Sequence, residues 1–237
     1  AVLRVLTSDG AVDCADHFGL DEESYQKFLP MLNAPNGIIY ITGPTGSGKS
    51  TTLYMVLEYL SQRSVNISTV EDPVEKTVPL INQTQVNNVA GLTFESGLRA
   101  LLRQDPDVIL IGEMRDRPAM DAALMAAETG HFVLSTLHTP SAAQAVSRIA
   151  GAYSGDARQE VRYRLAMVLQ AVLAQRRLEG QGQVAIVREV LVRTPAVVQL
   201  IRSGKEYQLP TVMQTGAAAG MRTMDQALRR CRAGGAL

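Results

Sequence analysis

The residues best suited to chemistry lie in one run, Gly43-Pro44-Thr45-Gly46-Ser47-Gly48-Lys49-Ser50, which satisfies the pattern Gly-x-x-x-x-Gly-Lys-[Ser/Thr]. Glycines at 43, 46 and 48 let successive backbone N–H groups turn inward around phosphate oxygens. Lys49 would neutralise the β/γ oxygens, Ser50 would ligate Mg²⁺, and Thr51 opens the helix whose N-terminus adds positive potential. This pattern predicts a phosphate cradle for a nucleotide.

Binding a nucleotide is not the same as cleaving it, and cleavage needs a carboxylate near the γ-phosphate. Val108-Ile109-Leu110-Ile111-Gly112-Glu113 supplies one at the carboxyl end of an apolar strand, where Gly112 permits close approach of backbone to ligand. There Glu113 could polarise the attacking water or hold Mg²⁺ through its shell. Glu71-Asp72-Pro73-Val74-Glu75 ends a second strand, and its three acids suit metal and water positioning, with spacing alone selecting none of them. His131 and His138 flank a third strand seven residues apart, a span of over about 20 Å, so they cannot readily share a metal. His138, beside Thr136 and Thr139 at the carboxyl end, is placed to sense the γ-phosphate, while His131 reads equally well as a structural hydrogen-bonder. His17 lies in a polar segment and takes no role.

Apolar runs at 38–42, 67–70, 108–111 and 132–137, with helical patterns between them, predict an α/β fold around a mostly parallel sheet covered on both faces. A polar helix is expected near 21–31 and another over 51–60. Thr93 is expected to cap a helix over 94–103, Asp116 one running to Glu128, and Thr139 one with Pro140 in its first position. Beyond Gly151 the pattern turns helical, over 157–173, 195–203, 205–214 and 224–232, with a single strand at 183–192. The expected organisation is a remnant of an upstream domain over residues 1–10, a core built on the sheet over 11–150 and a C-terminal helical subdomain over 151–237.

The 237 residues are 46% hydrophobic and 19% charged, a globular composition, too apolar for disorder. The 23 basic and 23 acidic side chains balance, yet residues 1–150 carry 10 basic and 17 acidic groups and residues 151–237 carry 13 and 6. Opposite halves of −7 and +7 would favour head-to-tail contact between copies. With no Trp and 5% aromatic residues there is no base-stacking platform, and no nucleic-acid partner is expected. Cys14 and Cys231 form neither a disulfide framework nor a metal spacing, and no apolar run approaches the about 18 residues that span a bilayer. A cytoplasmic setting is the expectation.

Four segments in register, GPTGSGKST at 43–51, STVEDPVE at 68–75, LLRQDPDVILIGEMRD at 101–116 and AAETGHFVLSTLHT at 126–139, resemble the Walker A, Asp box, Walker B and His box of the secretion ATPases. That family drives type II secretion and the extension and retraction of type IV pili. The resemblance implies a RecA-like P-loop domain, ATP and Mg²⁺ as ligands, and a hexameric ring at the cytoplasmic face of the inner membrane that works on a platform protein. It also implies Glu113 as catalytic base and matches Glu71, Asp72 and Glu75 to the Asp-box acids, Asp72 being a candidate Mg²⁺ neighbour.

The C-terminal run from Thr194 to Arg202 looks like the retraction motors, although Val198, Gln199 and Ser203 replace their Arg, Asn and Glu. The four-cysteine insertion common in extension and secretion members cannot form with one Cys beyond residue 14. Segments around Leu29-Pro30-Met31 and 82–87 lean toward the secretion branch. Arginines that reach the γ-phosphate come, in the family, from an N-terminal domain; Arg4 lies at the wrong end of the chain to be assigned, and Arg115 and Arg148 are the candidate local cations. The alternative to an ATP-hydrolysing motor is a nucleotide-binding regulatory paralogue in a mixed ring. A small-molecule kinase and a DNA translocase fit the motifs less well.

Overall fold

The computed structural model describes residues 18, 20–114, 116–180 and 183–233. The expected upstream remnant over residues 1–10, together with Cys14 and Arg115, lies outside these residues. In chain order the elements are α1 (Glu22–Leu32), β1 (Gly37–Thr42), α2 (Lys49–Ser61), β2 (Ile67–Glu71), β3 (Asn82–Gln85), α3 (Phe94–Leu101), β4 (Val108–Ile111) and α4 (Arg117–Glu128). They continue with β5 (Phe132–Leu137), α5 (Ala142–Gly151), α6 (Gly155–Val168), β6 (Leu169–Gly180), β7 (Gln183–Val192), α7 (Pro195–Arg202), α8 (Leu209–Thr215) and α9 (Met224–Ala233).

The strands form one sheet in the order β3-β2-β4-β5-β1-β6-β7, parallel throughout except for the antiparallel β6–β7 pair. Every residue of β1, β2, β4 and β5 is buried, as it must be in strands covered on both faces. The register pairs Thr42 with Leu137, Ser135 with Ile111, and Ile111 with Val70. Four parallel strands thus end at the same edge of the sheet, and the residues that follow them, the loop from Gly43, His138, Gly112-Glu113 and Asp72, emerge side by side.

Several expectations change. The helix over 157–173 stops at Val168, and Leu169 (φ −61°, ψ 125°) turns the chain into β6. Leu169 and the run from Ala171 to Ala174 are buried beside β1, so the apolar run carries no alternation to mark it as a strand. β3 is a polar edge strand that hydrophobic patterning could not reveal, and with β6 and β7 it completes seven strands among the described residues. Residues beyond 151 therefore add two strands to the sheet as well as helices. α5 is capped by Ser141, whose hydroxyl accepts from the Gln144 N–H, while Thr139 serves another purpose. The helix expected over 205–214 is a 3-10 turn, Glu206–Gln208, followed by α8.

One buried acid locks the C-terminal part onto the sheet. Glu189 of β7 accepts from the Ala142 N–H at 2.7 Å and from the Met224 N–H at 3.1 Å, and so satisfies donors at the starts of both α5 and α9.

Candidate nucleotide-binding site

The phosphate loop leaves β1 at Thr42 and enters α2 at Lys49. Gly48 has φ +84°, a left-handed conformation, and a Cβ there would lie 2.8 Å from Ile186 Cδ1. A Cβ on Gly43 (φ +147°) would lie 2.3 Å from the Gln175 carbonyl oxygen, so the loop must rest directly on β6. Gln175 is fully buried there; its amide donates to the Ser47 carbonyl at 2.8 Å, and its Oε1 accepts from the Thr52 hydroxyl at 3.1 Å. Arg188, opposite Gln175 on β7, donates to the same hydroxyl at 3.2 Å, and burial lowers its pKa to about 10. The loop is thus braced from beneath by β6 and β7.

Lys49 reaches back across the loop. Its Nζ donates to the carbonyls of Gly43 at 2.8 Å and Pro44 at 3.0 Å and lies 3.4 Å from His138 Nδ1. Burial pushes the ammonium below its ordinary pKa, against the pull of Glu113 and Glu75. The other ring nitrogen of His138, Nε2, lies 3.2 Å from Glu113 Oε1. Lys49, His138 and Glu113 therefore form one row, and a neutral imidazole with its proton on Nε2 satisfies both contacts.

Three threonines hold the row in place. Thr42 Oγ1 accepts from the Thr139 N–H at 2.8 Å and sits 2.7 Å from the Thr139 hydroxyl, which ties the end of β5 to the end of β1 on either side of His138. The Thr136 hydroxyl donates to the Gly112 carbonyl at 2.5 Å and fixes the turn that carries Glu113. Gly112 packs against β2, where its Cβ would lie 3.3 Å from Glu71 Cα. His131, at the far end of β5, contacts the Ala126 carbonyl at 2.9 Å, a structural role away from the row.

The acids after β2 divide. Glu71 lies at the cavity wall, but its carboxylate is buried and accepts from Tyr54 Oη at 2.5 Å, Thr69 Oγ1 at 2.6 Å and Gln83 Nε2 at 3.1 Å. Asp72 and Glu75 line the same wall without being buried.

Lys49, His138, Glu113 and the acids after β2 line a cavity of about 520 Å³, the size of a small-ligand pocket. Thr45, Gly46, Gly48, Lys49, Ser50 and Thr51 line one side, and Glu113, Thr136 and His138 another. The residues fit a nucleoside triphosphate: a Cβ on Gly46 would meet nothing within 4 Å, and the neighbouring Lys49 supplies the cation. They also fit Mg²⁺ held chiefly through the phosphates, with Ser50 as the protein ligand and carboxylates opposite; among the described residues no three acidic, His or Cys side chains form a metal cage of their own.

Sequence reasoning missed Tyr54, Gln175 and Arg177. Arg177 lines the cavity from β6, the far side of the loop from Glu113, and pairs with Glu179 at 3.1 Å. Arg148 instead faces a separate pocket with Asp116 and Arg117.

A mostly parallel sheet with this loop at the end of the interior strand β1 defines an α/β protein of the P-loop class. Residues 1–180 match the family described as type II/IV secretion system protein, and the chain belongs to that family. It is 50% identical over 204 residues to YggR of Escherichia coli, spanning 83% of this chain and 62% of that protein. It is 43% identical to the type IV pilus retraction ATPase PilT of Pseudomonas aeruginosa over 209 residues, 85% of this chain and 60% of that one. A crystal structure of the pilus retraction motor PilT with bound ADP superposes with a TM-score of 0.79 at 38% identity, covering 90% of this chain and 60% of that chain. The chain thus spans about three fifths of the length of these relatives. Among the described residues no helix is long and apolar enough to cross a membrane.

Proposed function

We propose that the chain is an ATP-hydrolysing motor subunit of a type IV pilus or type II secretion machine, nearest in kind to the pilus retraction motors. The observation that carries this reading is the row of Lys49, His138 and Glu113 across the mouth of the phosphate loop. The likeness to PilT, which runs through 85% of the chain, supports the direction toward pilus mechanics.

In this reading the triphosphate lies over Gly43–Thr51, and Lys49 exchanges its bonds with the Gly43 and Pro44 carbonyls for bonds to β/γ oxygens. Glu113 orients a water in line with the γ-phosphorus and takes its proton as the new P–O bond forms, while the bond to the β–γ bridging oxygen breaks and ADP leaves. His138, touching both Lys49 and Glu113, registers whether a γ-phosphate has drawn the lysine away. Bound Mg²⁺ would supply charge neutralisation of the phosphates, with Ser50 as its protein ligand and Asp72 near its shell. Glu71 serves through position, since its oxygens are held by Tyr54, Thr69 and Gln83.

Subunits are proposed to close a hexameric ring at the cytoplasmic face of the inner membrane, against a platform protein and without nucleic acid. An arginine at the γ-phosphate is worth about 10³–10⁵ in rate, and in this reading a separated subunit turns over slowly until an arginine is brought to that position. Phosphate release from Mg·ATP tests the proposal: Lys49→Ala should abolish it and weaken nucleotide binding by about tenfold or more, the loss of about 1.5–3 kcal/mol expected for a charged hydrogen bond. Turnover surviving in Lys49→Ala would place the activity elsewhere.

A further inference from the structure

On α2, Ser50, Tyr54 and Glu58 are spaced four residues apart and share one stripe of the helix. The top of the stripe is the phosphate end. Below it, the Tyr54 hydroxyl donates to Glu71 at 2.5 Å and accepts from the backbone N–H groups of Glu75 at 3.0 Å and Lys76 at 3.2 Å. One donor and two acceptor positions are all that a phenol offers, so the group is saturated. One turn further on, Glu58 pairs with Lys76 Nζ at 2.5 Å. From the other side Gln83 donates to both Glu71 Oε1 at 3.1 Å and the Lys76 carbonyl at 2.9 Å, and accepts from the Val78 N–H at 2.7 Å. The segment between β2 and β3, which carries Asp72 and Glu75, is therefore docked on the nucleotide-binding helix itself.

We propose that Tyr54 is a positioning residue for hydrolysis: its hydroxyl fixes Asp72 and Glu75 relative to Ser50, so that the acidic loop and the phosphate-binding helix move as one body. This rests on the ATPase reading for its effect on rate. The anchoring itself rests on geometry alone. Burial and the Glu71 carboxylate raise the Tyr54 pKa well above its ordinary value, which keeps the hydroxyl protonated and donating.

Tyr54→Phe removes the hydroxyl and keeps the ring. In the full chain, binding of a fluorescent ATP analogue should stay within about twofold, which also reports that the variant is folded, while kcat falls about 10- to 100-fold at nearly unchanged KM, as expected when reacting groups are displaced. Hydrogen exchange at the Glu75 and Lys76 amides should quicken by about tenfold as each loses its acceptor. Unchanged kcat in Tyr54→Phe would overturn the proposal, and so would unchanged exchange. If the wild-type chain shows no turnover at all, the ATPase reading fails, and exchange decides the anchoring by itself: faster exchange supports Tyr54 as the anchor, and equal exchange removes it.

Discussion

His138 contacts the phosphate-loop lysine through one ring nitrogen and the strand-end acid through the other. Truncating it leaves both partners and the loop in place, so His138→Ala should bind nucleotide within a few-fold of wild type and lose about 10- to 100-fold in turnover, the scale of one positioned proton-handling group. Equal turnover in the two proteins, measured by phosphate release, would remove His138 from the chemistry. The convergence of Lys49, Glu113 and His138 was legible in the sequence because each comes after an apolar strand, and parallel strands end at one edge of their sheet. Glu71 was legible as an acid but not in orientation: whether it faces a ligand or a tyrosine depends on Tyr54, seventeen residues earlier on a helix. Tyr54 and Gln175 carried no signal, since a tyrosine among apolar helix residues and a glutamine in an apolar run both read as packing.

The elements that escaped notice are β3 and β6, for opposite reasons. β3 is too polar, being an edge strand with only partial burial. β6 begins as a continuation of the apolar run that ends α6, with no Gly or Pro between them to mark the change. Arg177, on β6, was lost with it. The Thr139 hydroxyl, expected to cap a helix, joins two strands instead; only the register of β1 against β5 makes that visible.

A different contact sets the stability of the chain's edge. Asp21 caps α1 through the Ser24 N–H at 3.1 Å and pairs with Arg222 at 2.6 Å, which joins α1 to the segment before α9. Burial alone would raise the Asp21 carboxyl, but the Arg222 and Ser24 hydrogen bonds outweigh it and hold the pKa below its ordinary value. A carboxyl held low in the folded state stabilises above its unfolded pKa and loses that contribution as the pH falls through the folded one. Asp21→Ala should cost about 1 kcal/mol in denaturant unfolding at neutral pH through the lost cap. Asp21→Asn keeps a capping oxygen and should cost less, its deficit shrinking as the pH drops below the usual aspartate range. A deficit that grows on acidification would contradict this assignment.

At the scale of the whole molecule, the acidic first part and basic last part partly neutralise each other within the chain. Arg164 pairs with Glu128 at 2.8 Å and with Asp121 at 3.5 Å, and Arg222 and Arg230 reach Asp21 at 2.6 and 3.7 Å. Some of the complementarity expected between copies is thus used inside one copy, something a count of charges along the sequence cannot distinguish. What the sheet does for the whole molecule is bring residues as far apart in sequence as Thr45 and Arg177 to one edge, and on that edge the proposed hydrolysis depends. The most direct measurement is Mg·ATP turnover of the chain beside Glu113→Gln, with nucleotide affinity determined for both. Slow turnover in the wild type that vanishes in the variant, at affinities equal within a few-fold, is the predicted result. Equal turnover in both proteins would contradict the assignment of Glu113 as the base.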